Sequence, residues 1–462
     1  MVSAIEQVSA PSDRMELQLK EVEVGPRGSW LTGVLNEFAA DPLAFVTHSA
    51  RRYGDVVKLP FGPIEQTLVS DPELIEEILV KRHSSFIKDE VTRHLSTALG
   101  DGLLVSEGKK WRAARKRVAP KLRKKQIAAY ADAMVSHTEA LVGGFVEGEL
   151  RDIRDDMMLL TLDIVAETLF GGEVGQDAHK VGEVMESLME MFVSHERSVL
   201  RFVPDWIPTP GRVKARKGLE ELDELLFRII DARRAGEPGD DLLWLLIEAT
   251  DDDGQTMDDV QLRDESLTLF LAGHETTALA LSYAIMQVAE HACVERRLVA
   301  ELDEVLEGRR PEVGDFRRLP FTEAVVKEAM RLYPPAWAVG REAIEDVEVG
   351  GLVIPKGQQV MMSQWVVHRD PRWWPEPESF KPERWLEDAP QRPRFAYFPF
   401  GGGPRVCVGN HFAMMEMVLV LATIYQRASL RRESFSGVGL TPAVTLRPDG
   451  PIEMRVSLRG DA

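Results

Sequence analysis

The sequence predicts a mainly α protein with small β-sheets, and three observations carry that reading. From about residue 120 to 310, apolar residues recur three and four apart almost without a break. Strand-like alternation is confined to short pieces near 55–71, 346–360 and 441–460. The apolar run MVLVLATIY, residues 417–425, is a buried helix by pattern. It is far short of the roughly 20 residues that a bilayer span needs.

The elements follow in order. Residues 1–25 carry acids and no apolar stretch, so they read as a flexible tail, not a leader or anchor, and 26–462 as one domain. LAFVTHSARRYG (43–54) has helical spacing, DVVKLPFGPIEQTLVSD (55–71) a hairpin pattern broken by Pro and Gly, and ELIEEILVKR (73–82) a further helix. QIAAYADAMVSHTEALVGGFV and GLEELDELLFRIIDARRAG continue the helical series. Later, DVEVGGLVIPKGQQV alternates around Gly350-Gly351, and the last strands are expected to turn at Asp449-Gly450.

Composition narrows the function. With 56 basic and 75 acidic residues the net charge is −19, which argues against a protein that coats nucleic acid. Two cysteines, Cys293 and Cys407, exclude a disulfide framework and fit a reducing cytoplasm. Cys293 lies in an ordinary helical context. Cys407 does not.

Cys407 stands in FPFGGGPRVCVGNHFAMMEM, where glycines allow close approach of a flat ligand and a helix resumes just after Gly409. Amides opening that helix favour a thiolate, hence a nucleophile or a metal ligand. A hydrolase needs a histidine base, and His411 in the first helical turn faces the wrong way, so the surroundings favour a ligand.

Phe400, Gly403, Arg405, Cys407 and Gly409 occupy every fixed position of the loop Phe-x-x-Gly-x-Arg-x-Cys-x-Gly, and the chain here resembles the cytochrome P-450 family of heme-thiolate monooxygenases. The resemblance implies that Cys407 is the axial ligand of heme b, that Phe400 packs beside the sulfur, that Gly401 and Gly409 belong to the cofactor site, and that Arg405 pairs with a heme propionate. It also implies the family's triangular-prism fold with a long central helix. A thiolate pushes electron density onto iron, and guanidinium suits carboxylate recognition.

LRDESLTLFLAGHETTALALSYAIMQV (262–288) is apolar nearly all round except at its middle. A carboxylate and hydroxyls there must be hydrogen-bonded or used. AGHETT resembles the family's oxygen-activating segment, which implies that Glu275 and Thr276 relay protons to dioxygen and that Ala272 lies against the cofactor. Thr277 is expected to bond back to a helix carbonyl and His274 to be a core histidine.

Glu328 and Arg331, three apart on TEAVVKEAMRLYPP, resemble with Arg384 of FKPERW the family's buried Glu-Arg-Arg triad. Trp111 and Arg115 match its Trp-x-x-x-Arg, which implies propionate contacts. Arg341 stands where many relatives place another, and His368 is a weaker candidate.

The segment 109–125 has ten basic residues in seventeen and no acid. It suits an acidic electron carrier, a ferredoxin or flavodoxin with its reductase, bringing electrons from NAD(P)H through separate redox proteins. Substrate contacts are expected from Phe86 to Val105, from the Met-rich stretch 184–203, from Phe270, and from Ala336, Trp337, Ala338 and Val339. These pieces imply a lipophilic molecule, whether fatty acid, terpenoid, steroid or polyketide. The expected reaction is hydroxylation or epoxidation with dioxygen. A peroxide-driven or rearranging heme-thiolate enzyme would not need the relay. A heme sensor should carry an effector module that no motif shows.

Overall fold

The computed structural model describes residues 25–460 except 63, 172–179, 186, 189–190, 192–209, 252–253, 387–390 and 434–436. The expected tail and most of the 184–203 stretch lie outside the described residues.

Helices dominate, as the 3.6-residue periodicity requires. The central helix, Asp259–Glu290, opens on Asp258, whose carboxylate accepts the Gln261 N–H. It is buried over most of its length and packs against Ile153–Phe170, Pro320–Leu332 and Asn410–Arg427. A helix buried all round needs apolar residues on every side, which explains its lack of a polar stripe. Among the described residues no helix is long and apolar enough to cross a membrane.

The strands form four small sheets. β1 (Val56–Phe61), β2 (Ile64–Val69), β8 (Gln359–Met362), β5 (Val339–Ala343) and β3 (Phe86–Lys88) lie side by side in that order. β6 (Val347–Val349) and β7 (Leu352–Ile354) pair through Gly350 and Gly351, both at positive φ as a two-residue hairpin turn demands. β4 (Leu150–Asp152), β12 (Glu453–Leu458) and β9 (Ala428–Arg432) make a third sheet, and β10 (Leu440–Pro442) pairs with β11 (Leu446–Pro448).

Three local expectations are corrected. The terminal hairpin turns at Ala443–Thr445, not at Asp449-Gly450. Asp449 instead extends that ladder, its N–H reaching Gly439 O at 2.9 Å, and Pro451 has no N–H with which to continue it. β12 therefore pairs with β9 and β4. The helix expected over 73–82 divides into an α segment, Pro72–Glu76, and a π-turn, Glu77–Lys81. The back-bond expected of Thr277 is made by Thr276, whose Oγ1 donates to Ala272 O at 2.6 Å.

Candidate active site around Cys407

The Cys407 loop is shaped by glycine. Gly403 has φ +66°, and a Cβ there would lie 1.8 Å from the Leu79 carbonyl oxygen of the π-turn. No other residue type fits. A Cβ on Gly402 would meet the Phe395 ring at 2.3 Å. The Cys407 N–H donates to Phe400 O at 3.0 Å, which fixes the loop's closure, and the Phe400 ring packs half-buried at the edge of the main core. Gly401, also at positive φ, is half-buried beside it.

Cys407 keeps accessible surface although protein packs round it, so its sulfur stands on the wall of an internal cleft. Burial pushes the thiol above its ordinary pKa, while the Gly409 N–H and the charges of Arg115 and Lys88 pull it down. The thiolate expected from the sequence is thus only partly prepared. A cation bound to the sulfur would complete the deprotonation.

The central helix supplies an accessible face in an otherwise buried rod. Ala272 is exposed, and Leu269, Gly273 and Thr276 are half-buried, at the spacing of one helical face. Phe270 is not on it. It is buried and stacks on Phe170, with ring centroids 5.8 Å apart, so this expected pocket residue belongs to the core. His274 is a satisfied core histidine, with Nε2 3.0 Å from Met158 O. Ala336, Ala338 and Val339 are half-buried, whereas Trp337 is buried and donates from Nε1 to Ala443 O at 2.9 Å.

Glu275 is turned towards the β10–β11 hairpin. Its Oε1 accepts from Thr445 Oγ1 at 2.7 Å and from Arg447 Nε at 2.5 Å. Neither partner was legible beforehand, since each lies about 170 residues away in sequence.

Cations gather about the Cys407 loop. Arg115 donates to Val406 O at 2.6 Å. Arg405 lies over the Trp111 ring, 4.4 Å from its centroid, pairs with Glu107 and donates to Ser106 O at 3.1 Å. Arg341 is buried and donates to Gly340 O at 2.7 Å, with no carboxylate bonded to it among the described residues. Its pKa is pushed down to about 10, first by burial and then by Arg405. His368 lies apart, fully buried, with Nε2 accepting from Phe398 N–H at 3.0 Å. Burial and the neighbouring Arg331 and Arg369 hold it neutral. It is a packing residue.

The residues present fit an iron porphyrin. One sulfur faces an internal cleft, a small-residue helix face offers room for a flat ring, and buried cations lack the carboxylates that a porphyrin carries.

The loop before Trp111 is tied to the central helix by two carboxylates that the sequence reading missed. Asp264 accepts the Asp101 N–H at 2.7 Å and Glu265 the Leu103 N–H at 3.0 Å. Burial, reinforced by Asp264 and Asp101, raises the Glu265 pKa to about 7 from 4.5. The folded state then holds this proton to higher pH than the unfolded chain does. Its stabilising contribution is complete below about pH 4.5 and is lost as pH rises through about 7. Glu265→Gln is expected to remove that dependence. Melting curves from pH 4.5 to 8 check it, and a variant with the wild-type slope would contradict it.

The comparisons with known proteins agree with this geometry. A family model described as cytochrome P450 matches residues 24–443. Cyclooctatin synthase of Streptomyces melanosporofaciens is 36% identical over 437 residues, covering 93% of this chain and 94% of that protein. Cyclooctat-9-en-7-ol 5-monooxygenase of the same organism is 34% identical over 395 residues, covering 84% and 85%. The crystal structure of the cytochrome P450DA heme domain superposes with a TM-score of 0.85 at 26% identity, covering 95% of this chain and 98% of that one.

Proposed function

The chain belongs to the cytochrome P450 family, and we infer from the site that it is a heme-thiolate monooxygenase acting on a cyclic terpenoid. The observation that carries this reading is that Cys407 keeps accessible surface although protein packs round it, while the central helix keeps an accessible face whose one hydroxyl is Thr276. We read 26–462 as one catalytic domain and its setting as the cytoplasm, where the free Cys293 and Cys407 stay reduced.

Cys407 would ligate the iron, Phe400 and Gly401 would shield the sulfur, and Gly409 would steady it through its N–H. Trp111, Arg115, Arg341 and Arg405 would hold the carboxylates. Heme b, when bound, supplies the redox centre where dioxygen is reduced, one atom entering a C–H bond or alkene and the other leaving as water. The chain's own part is to bind, exclude water and move protons.

Glu275 takes up a proton at the hairpin side, where the half-buried Arg447 side chain reaches towards solvent. Thr276 Oγ1 passes it into the cleft once the hydroxyl leaves its bond to Ala272 O. Such a relay is general acid catalysis and contributes on the order of 10²–10⁴ in rate. The accessible side chains of the segments read as the substrate pocket are mainly apolar, Leu104, Leu269, Ala272, Ala336, Ala338 and Val339 among them. They suit a hydrocarbon skeleton. The names of the two Streptomyces relatives favour a cyclic alkene or alcohol among lipophilic classes.

Exposed Lys109, Lys110, Arg112, Lys116, Arg123, Lys124 and Lys125 support docking of an acidic ferredoxin or flavodoxin. Arg115 and Arg117 of the same segment turn inward, Arg117 bonding Asp251 at 2.7 Å.

The test is turnover of a cyclic terpene alcohol under labelled dioxygen, with ferredoxin, reductase and NAD(P)H. Wild type should place one labelled atom in the product. Thr276→Ala should lower product per electron pair by about tenfold or more and release peroxide instead. Peroxide-supported turnover alone, or unchanged coupling in the variant, would contradict the reading.

A further inference from the structure

Between the helices Ser96–Leu99 and Gly108–Val118 runs a loop whose Leu103 and Leu104 belong to the segment read as substrate wall. It lies against the central helix with no room for side chains at two points. A Cβ on Gly100 would stand 2.0 Å from Asp264 Oδ1, and one on Gly102 would stand 2.3 Å from Thr268 Oγ1. Asp264 and Glu265 grip its main chain there, through the amides of Asp101 and Leu103.

The two grips differ in how their charge is met. Asp264 is paired: its Oδ1 accepts from Arg263 Nη1 at 2.9 Å, and Arg263 reaches on to Asp223 at 2.7 Å. Glu265 is fully buried, and among the described residues neither its Oε1 nor Thr268 Oγ1 meets a partner. Asp264 and Asp101 face it with like charge, and Asp101 is itself paired with Lys110 at 2.5 Å. Arg117 opposes them, but its terminal nitrogens are spent on Asp251, Gln261 and the Gln255 carbonyl. A neutral acid suits this place, since it still accepts the Leu103 N–H and leaves no charge unmet. A carboxylate does not. Ionised, it is better off where water reaches it, and that requires the loop to leave.

We propose that Glu265 is a positioning residue of the substrate pocket, a latch that holds loop 100–106 on the central helix while it keeps its proton and lets the loop lift when it ionises. The link to substrate rests on reading Leu103 and Leu104 as pocket wall, whereas the latch itself depends on neither heme nor substrate. With the loop docked, burial and the two neighbouring acids hold the Glu265 pKa at about 7, and with the loop lifted it returns to the ordinary 4.5. Lifting is therefore favoured further with each pH unit between those values, and no further above 7.

Hydrogen exchange on the heme-loaded protein tests this. Protection of the amides in 100–106, corrected for the intrinsic pH dependence of exchange, should fall in wild type by up to about tenfold per pH unit between pH 5 and 7 and then level off. The amides of Asn410–Arg427 should show no such fall. Glu265→Gln cannot ionise and should keep one level of protection in the loop across the range. Gly102→Ala, whose Cβ strikes Thr268, should show a lifted loop with low protection at every pH. A flat wild-type profile would overturn the proposal, as would the wild-type fall persisting in Glu265→Gln or in Gly102→Ala. The expected profile in a wild type that bound no heme would support the latch while sinking the porphyrin reading.

Discussion

Replacing Cys407 by serine is expected to abolish oxygenation while leaving the fold in place. The change is nearly isosteric. The Cys407 N–H keeps its bond to Phe400 O, and the loop stays pinned by Gly403 against Leu79. What is lost is the only sulfur in the cleft-facing loop. A serine hydroxyl does not ionise where a thiol, aided by Arg115, Lys88 and the Gly409 N–H, can. Mutating groups that merely support a metal ligand costs 10–100-fold in many metalloproteins. Loss of the ligand itself should therefore exceed about 100-fold in turnover. Steady-state oxidation and a thermal melt check the two halves of this expectation. A serine variant with turnover within a few-fold of wild type would contradict it.

Glu328→Gln is expected to be the most destabilising single change at a site remote from the chemistry. Glu328 and Arg331 are fully buried. The carboxylate accepts five bonds: Arg331 Nε and Nη2 at 2.9 and 2.8 Å, Arg384 Nε at 3.1 Å, Lys381 N at 2.9 Å and Trp385 Nε1 at 2.9 Å. Arg331 spends its remaining donors on the carbonyls of His368, Pro377 and Ser379. The network has no slack. An amide brings one acceptor oxygen and an NH2 facing other donors, leaving two guanidinium charges uncompensated. Breaking a buried pair in this way costs about 3–5 kcal/mol, against a typical total stability of 5–15 kcal/mol. Heme content per chain and the denaturant midpoint should both fall. A wild-type midpoint would show that the triad is not what holds this region.

Much of the site was legible because its determinants are local. The cysteine loop packs Cys407, its glycines and Arg405 into ten residues, and Glu328 and Arg331 meet across one helical turn. The polar island at Glu275 and Thr276 stands out because charge inside an apolar helix needs a cause. What stayed hidden depends on distant pairing. Thr445 and Arg447 look like ordinary strand residues until the hairpin lies against the central helix, and Glu107 matters only because it meets Arg405. Phe270 shows the converse. A large apolar residue near Glu275 and Thr276 suggested the pocket, but its angle on the helix carries it into the core beside Phe170. The misplaced terminal turn has the same origin: Asp449-Gly450 is a good turn sequence, overruled by the pairing of β12 with β9.

The central claim is a bond between the Cys407 sulfur and porphyrin iron, and iron X-ray absorption on the purified, heme-loaded protein tests it most directly. One sulfur scatterer should appear in the first shell beside the porphyrin nitrogens and vanish in Cys407→Ser. A first shell of nitrogen and oxygen alone in the wild type would contradict the account.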